Sequence, residues 1–188
     1  ANTTGTQNTA VGAESLDANT TGDQNSALGL SALGANTTGA DNSAFGRAAL
    51  AANTTASNNT AVGSSAGVAL TTGANNVAVG FEALSTETTY SENTAVGYRA
   101  LKVNAGGYSN TSIGFDTLLA NTTGNNNTAV GHDAGIAVTT GSYNVCIGST
   151  AGDALTTGSN NVIIGYQAGT HDVNLTTGGN NVVVGQYS

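Results

Sequence analysis

Apolar and polar residues recur along the whole chain with a constant period of seventeen positions, as from Asn8 to Asn25. Each period starts with an Asn-x-x-x-Gly unit, and only the last interval, from Asn161 to Asn181, is longer, by a three-residue insertion. These anchor asparagines are Asn8, Asn25, Asn42, Asn59, Asn76, Asn93, Asn110, Asn127, Asn144, Asn161 and Asn181. So constant a register predicts stacked coils, because each coil of a solenoid must align with the next one.

We number each coil from its anchor asparagine, at position one, to position seventeen. A unit of this length fits one coil of two short strands and two turns, and its recurrent glycines disfavour helix. The sequence therefore predicts an all-β chain, a parallel β-solenoid of about ten to eleven coils that forms a single domain over residues 1–188. Because coils stack ~4.8 Å apart, the rod would be ~50 Å long.

Positions two to four read as a strand, whose side chains alternate between two faces. Position four is apolar in every coil, from Val11 to Val184, so we expect it to point inward. Position three would then face outward, and it is small and mostly apolar. It is occupied by Ala10, Ala27, Ala44, Ala61, Ala78, Ala95, Ser112, Ala129, Cys146, Ile163 and Val183. An apolar stripe on the outside indicates an oligomer interface or a face covered by the coil's own turns.

Positions nine and twelve exchange their apolar residue from coil to coil. Position nine is leucine where position twelve is polar, as in Leu16 with Asn19. It is glycine where position twelve is aliphatic, as in Gly67 with Leu70. Cores tolerate such exchanges when volume is kept, so both positions are predicted to fill one interior site.

The period also predicts two columns of like side chains. The anchor asparagines would form a ladder, each amide bonding along the axis to the next coil. Position six holds Phe81, Tyr98, Phe115 and His132 in four successive coils, which should stack at a turn. Stacked rings stabilise a solenoid edge, and the other interpretation is a contact patch for a glycan or a partner protein.

The unit Asn-Thr-Ala-Val-Gly-x-x-Ala-Leu, found at residues 93–101, resembles the head repeats of YadA-like trimeric autotransporter adhesins. The chain is also similar to the Thr-Thr-Gly-x-x-Asn-Thr-Ala-Val-Gly arrays of phage and bacterial fibre proteins. The resemblance implies a left-handed β-roll in which three chains form a homotrimer, with the alanine stripe that begins at Ala10 facing the neighbouring chains. It also implies an extracellular location, on a cell surface or in a virion fibre.

Composition narrows the classes of partner. Only 7% of residues are charged, and 11 acids against 3 bases give a net charge of −8. Three basic residues are too few for a phosphate-binding surface, so we expect no nucleic-acid partner. No apolar run approaches the ~20 residues of a membrane helix, so we expect no membrane insertion by this segment.

Residues that carry chemistry are few and scattered. The two His-Asp pairs, His132-Asp133 and His171-Asp172, and the single cysteine do not supply the three or four convergent ligands of a metal site. A Gly-x-Ser-x-Gly pattern at residues 63–67 coincides with the repeat's own turn, whereas a nucleophile elbow joins a strand to a helix. We therefore expect no metal, no cofactor and no enzymatic activity.

These observations favour a structural or adhesive fibre segment, part of a longer fibre. It would associate with itself as a homotrimer or an end-to-end filament, and it could present a patch for a surface glycan or host protein. The alternative is an ice-binding solenoid with a threonine array on its surface. That array would consist of Thr4, Thr21, Thr38, Thr55, Thr72 and Thr89.

Overall fold

The computed structural model describes residues 2–170 and 175–188. Within these residues the regular secondary structure consists of eleven three-residue strands, each at positions two to four of its coil. The strands are β1 (Thr9–Val11), β2 (Ser26–Leu28), β3 (Ser43–Phe45), β4 (Thr60–Val62), β5 (Val77–Val79), β6 (Thr94–Val96), β7 (Thr111–Ile113), β8 (Thr128–Val130), β9 (Val145–Ile147), β10 (Val162–Ile164) and β11 (Val182–Val184).

Consecutive strands pair in parallel, so the sheet follows the order of the chain from β1 to β11. Thr60 pairs with Val77 at the equivalent position of the next coil, and only the last pairing, of Val162 with Val182, crosses the insertion. Backbone bonds continue the ladder at both strand ends, since Val77 N–H donates to Asn93 O at 2.8 Å and the position-five glycine N–H donates to the preceding strand. The predicted parallel β-solenoid is confirmed, but each coil contributes one strand instead of the two that were expected, and the rest of the coil consists of turns and irregular backbone.

The two faces of the strands are the reverse of the prediction. Position three points inward, and its alanines from the second coil onward are at most 1% exposed. Position four points outward, with Leu28 51% and Ile113 39% exposed. Since Ala27, Ala44, Ala61, Ala78, Ala95 and Ala129 are buried in their own chain, they cannot line an oligomer interface. Ala10 alone of that set is exposed, in the first coil.

The narrow interior explains this reversal. The anchor asparagine at position one is itself buried, and alternation along a strand then turns position three inward as well. The opposite wall leaves little room there. A β-carbon on Gly152, at position nine, would lie 2.8 Å from Cys146 Sγ at position three. Most coils carry leucine at position nine. The space that remains opposite it, at position three, therefore holds only the methyl group of an alanine.

Positions nine and twelve both point into this interior, as predicted. Leu50 and Leu70, which occupy them in adjacent coils, are fully buried. A β-carbon on Gly67 would lie 3.0 Å from a methyl group of each. The leucine at position twelve therefore fills the space that glycine leaves at position nine.

One coil replaces two interior alanines by hydroxyl residues. Ser112 at position three and Thr117 at position eight are both fully buried. Their hydroxyl oxygens lie 2.6 Å apart, and Ser112 Oγ also donates to Thr117 O at 2.8 Å. Each hydroxyl thus supplies the hydrogen-bond partner that a buried polar group requires.

The turns hold the coils in close contact. Non-glycine residues at positions seven, nine and seventeen adopt left-handed backbone with φ between 48° and 66°. The glycine at position five is needed for another reason. Gly63 has φ of 131°, and a β-carbon there would lie 2.5 Å from the carbonyl oxygen of Gly80 in the next coil. A side chain at this position would therefore force the coils apart.

Candidate functional site

The anchor asparagines form a continuous ladder from Asn8 to Asn181. At each of the ten steps, the backbone N–H of one asparagine donates to the side-chain oxygen of the asparagine one coil earlier, at 2.9–3.1 Å. The side-chain nitrogen donates to a turn carbonyl, as Asn59 Nδ2 does to Gly73 O at 2.9 Å. We call this column the anchor ladder. It ties every coil to its neighbour, and in the first ten coils it also ties the asparagine to the turn of its own coil.

A second ladder, which we call the inner ladder, runs through position twelve. Asn36 Nδ2 donates to Asn19 Oδ1 at 2.9 Å, and Asn53 Nδ2 donates to Asn36 Oδ1 at 2.8 Å. Position twelve was predicted only as the polar alternative to a leucine, so this ladder was not foreseen. The recurrence of asparagine at the same position of successive coils was the signal that could have found it.

The inner ladder stops wherever position twelve becomes aliphatic. The next coil after Asn53 carries Leu70, and the next after Asn121 carries Val138. Asn53 Oδ1 and Asn121 Oδ1 are the buried side-chain oxygens without a hydrogen-bond partner among the described residues. Each interruption therefore leaves one orphaned acceptor in the interior.

Glu87 occupies a rung of the inner ladder and is fully buried. Its Oε1 accepts the backbone N–H groups of Thr88, Thr89 and Tyr90 at 2.8, 3.1 and 3.0 Å. Its Oε2 accepts Asn104 Nδ2. In this coil the turn is Thr-Thr-Tyr where most coils have Thr-Thr-Gly. Its three backbone N–H groups all donate to the Glu87 carboxylate.

The adjacent threonines of the turn have different surroundings. At position thirteen the hydroxyl bonds along the axis, as Thr37 Oγ1 does to Thr54 O at 3.0 Å. The threonine at position fourteen is exposed in every coil that has one. The surface therefore displays one threonine row, which includes Thr4, Thr21, Thr38, Thr55, Thr72 and Thr89.

The outward side chains of positions two and four in all eleven strands form a surface that we call the strand face. None of these residues is charged, and they are threonine, serine or aliphatic apart from Phe45. Val11, Leu28, Phe45 and Val62 are 55, 51, 41 and 37% exposed. The strand face is therefore an uncharged and largely apolar strip along the whole sheet.

The side chains at position six in four successive coils form a ring column beside the strand face. Phe81 and Tyr98 stack with centroids 5.5 Å apart, Tyr98 and Phe115 at 4.9 Å, and Phe115 and His132 at 5.0 Å. The interplanar angles are 14° or less. Since stacking covers the faces of the inner rings, the column presents ring edges to solvent.

Charged side chains lie beside this ring column, and one of them contacts a ring. Arg99 bonds Asp116 in the next coil through Nε at 2.8 Å and through its terminal nitrogen. Its guanidinium carbon lies 5.0 Å from the centroid of the Tyr98 ring. The hydrogen bonds to Asp116 raise the pKa of Arg99. Lys102 pairs with Glu82, the residue that follows Phe81, at 2.6 Å.

The other groups that the sequence singled out do not converge on a site. Burial raises the pKa of the Cys146 thiol to about 12, so it is protonated at neutral pH. His132 Nδ1 lies 3.1 Å from Asp133 Oδ2, while the pair His171-Asp172 lies outside the described residues. Residues 2–170 and 175–188 contain no group of three or more His, Cys, Asp or Glu side chains placed to hold a metal ion. No helix in that part of the chain is long and apolar enough to cross a membrane.

No family model matches the chain, and neither a curated protein nor a solved structure is detectably similar to it.

Proposed function

We propose that the chain is a rigid rod segment of an extracellular fibre, on a cell surface or in a virion, in which copies of the chain associate side by side through the strand face. Eleven coils at ~4.8 Å give a rod ~50 Å long. The anchor ladder supports rigidity, because every coil is bonded to the next through buried side chains as well as backbone.

The single observation that carries this proposal is the exposed, uncharged strand face. It is three residues wide and eleven coils long, roughly 520 Å² at ~3.3 Å per residue and ~4.8 Å per coil. That area lies within the ~300–600 Å² of the largest apolar patch of a typical monomer, a patch that is often functional. The adjoining row at position six, which is mixed and includes Arg47 and Ser64, would extend the contact toward the ~800 Å² that a standard interface buries per partner. A second copy of the chain would cover the strand face along its length.

Three copies are the number that we propose. The resemblance to YadA-like heads supports a closed homotrimer of left-handed coils, and the distribution of polar residues supports the same arrangement. Positions thirteen, fourteen, sixteen and seventeen are mostly threonine, serine and asparagine, so one side of the rod suits water. The strand face would then turn toward the centre of the trimer, in the place where the alanines were expected.

Native mass spectrometry tests the proposal. The unchanged protein should give three times the mass of the 18.3 kDa chain. The triple variant Leu28→Gln, Phe45→Gln, Val62→Gln makes three neighbouring strands of the face polar and should shift the mass toward one chain. Thr38→Gln, Thr55→Gln, Thr72→Gln alters exposed positions of the same region of the rod and is the matched control. A single-chain mass for the unchanged protein at micromolar concentration would refute the assembly.

Adhesion is a separate and finer proposal, in which the ring column faces away from the neighbouring copies. The ring edges of Phe81, Tyr98 and Phe115, each more than 40% exposed in the single chain, would then contact a surface glycan or host protein. The exposed ring edges and the flanking charges support protein more than sugar, because sugars stack on ring faces, which the column covers. Replacing the three rings by serine should abolish binding to a target surface. Unchanged binding by a still-folded rod would remove the idea.

A second candidate function is ice binding, which the exposed threonine row at position fourteen favours. Its members recur at position fourteen of successive coils, with one interruption at Gly106. Thermal hysteresis in solutions of the purified rod would support this function. Its absence, together with no change in ice-crystal shape, would dismiss it.

A further inference from the structure

A repetitive interface leaves the axial alignment of its partners undefined. In the proposed assembly, positions two and four repeat with every coil, so sliding one copy by one coil still pairs ten of its eleven strands with an equivalent strand. Register is weakly specified on surfaces of this kind. A fibre with a defined length and end needs a feature that does not repeat.

The ring column is such a feature. It occupies position six of the coils that carry β5 to β8, near the middle of the rod. The coils on either side carry Ser64 and Ser149 at the same position, so the column has sharp ends. Phe81, Tyr98 and Phe115 are 41–44% exposed, and they follow the strand face by two residues along each coil.

The rings of the column are also ordered in the single chain, without a partner. Stacking at 4.9–5.5 Å fixes each ring against the next. Arg99 lies over Tyr98 and is itself held by Asp116 of the following coil. Groups ordered in this way lose little freedom on association, which suits them to a role in recognition.

We propose that the ring column sets the axial register between copies of this chain, with the column of one copy lying at the height of the column of the next. This inference rests on the proposed assembly through the strand face. In register, ring edges meet ring edges over four coils. A slip by one coil places a ring opposite a serine at each end, and a slip by two coils leaves only two of the four rings of each column opposite a ring of the other column.

Disulfide trapping between copies tests the register. In a Cys146→Ala background, one protein carries Leu28→Cys and another carries Val62→Cys, both on the strand face and outside the ring column. These positions are two coils apart, ~9.6 Å along the axis, whereas a disulfide joins Cα atoms about 4.4–6.8 Å apart. The two proteins are mixed, unfolded, refolded together and oxidised, and the cross-linked peptides are identified by mass spectrometry.

With the ring column intact, we expect disulfides between like positions and no mixed 28–62 disulfide. With Phe81→Ser, Tyr98→Ser, Phe115→Ser added to both proteins, the mixed disulfide should appear, because slipped pairs become populated. The matched control Ala13→Ser, Leu30→Ser, Tyr166→Ser changes the same row outside the column and should give no mixed disulfide. If the serine variant does not assemble, leucine at the same three positions keeps the row apolar while removing the rings.

The outcomes separate this inference from the proposed function. Mixed disulfides in the presence of the column, or their absence from every ring-free variant that assembles, would overturn the register role while leaving the assembly intact. A single-chain mass with no disulfide of any kind would overturn the assembly, and the register role would fall with it.

Discussion

Replacing Asn59 by alanine removes one rung of the anchor ladder from the middle of the rod. The asparagine is 1% exposed, and its side chain serves two backbone groups that have no other hydrogen-bond partner among the described residues. Its Oδ1 accepts the backbone N–H of Asn76 at 2.9 Å, and its Nδ2 donates to Gly73 O at 2.9 Å. The side chain of Asn76 keeps its bonds to Ala74 O and Tyr90 O.

The expected loss follows from these two orphaned groups. Leaving a buried donor or acceptor unpaired costs about 1–3 kcal/mol, so Asn59→Ala should lower the free energy of unfolding by about 2–6 kcal/mol. That is a large fraction of the ~5–15 kcal/mol of a typical domain. Denaturant unfolding followed by circular dichroism measures the loss, and hydrogen exchange of the Asn76 amide locates it.

The neighbouring Asn58 supplies the matched control. It is exposed and has φ of 61°, a conformation that glycine adopts readily. Asn58→Gly should therefore change stability by less than ~0.5 kcal/mol and leave the exchange of the Asn76 amide unaltered. If Asn59→Ala destabilises the protein no more than Asn58→Gly, the anchor ladder is not a source of stability.

Three further perturbations test other parts of the interior. Glu87→Gln should cost about 1–3 kcal/mol in denaturant unfolding, because its new amide nitrogen would meet Nδ2 of Asn104, which Gly107 O holds in place at 2.7 Å; an unchanged midpoint would contradict the ladder geometry. The pKa of Cys146 is raised by burial to about 12 from 9.0, so the thiol should resist thiol reagents at pH 8 until the chain unfolds. Its contribution to stability is fully present below pH 9 and should fall between pH 9 and about 12 as the unfolded thiol ionises. Ser112→Ala and Thr117→Ala should show a coupling of at least ~0.5 kcal/mol in a double-mutant cycle, and strictly additive effects would show that the two hydroxyls act independently.

The period of the sequence predicted the fold because stacking imposes one register on every coil. The spacing of Asn8, Asn25 and their successors placed all eleven strands, and the exchange between Leu50 at position nine and Leu70 at position twelve predicted a shared interior site. Both features follow from the alignment of successive coils and from the constant volume of the interior, and a repeated sequence makes both visible. Even the three-residue insertion before Asn181 could be placed between the last two strands.

Hydropathy could not predict which face of each strand points into the interior. Val11 and its equivalents were expected to point inward because they are apolar, but the interior of a coil this thin is lined by alanine, leucine and asparagine amides. Burying the anchor asparagine already fixes the orientation, since position three shares its side of the strand. Glu87 was missed for a related reason, because a lone carboxylate in a turn looks exposed until the N–H groups of residues 88–90 are seen around it.

The constant step between coils also bears on how the chain folds. Strand pairing and both ladders join residues 17 apart, or 20 at the last step, which is about 0.09 of the 188-residue chain. That value lies in the ~0.07–0.12 range of relative contact order typical of helical bundles, whereas β-sandwiches have ~0.16–0.22. Each coil needs only its neighbour as a template, so folding can start at any coil and spread along the axis. Parallel sheets usually form slowly because their paired strands are distant in sequence. In this sheet every strand pairs with one that lies only 17 or 20 residues away.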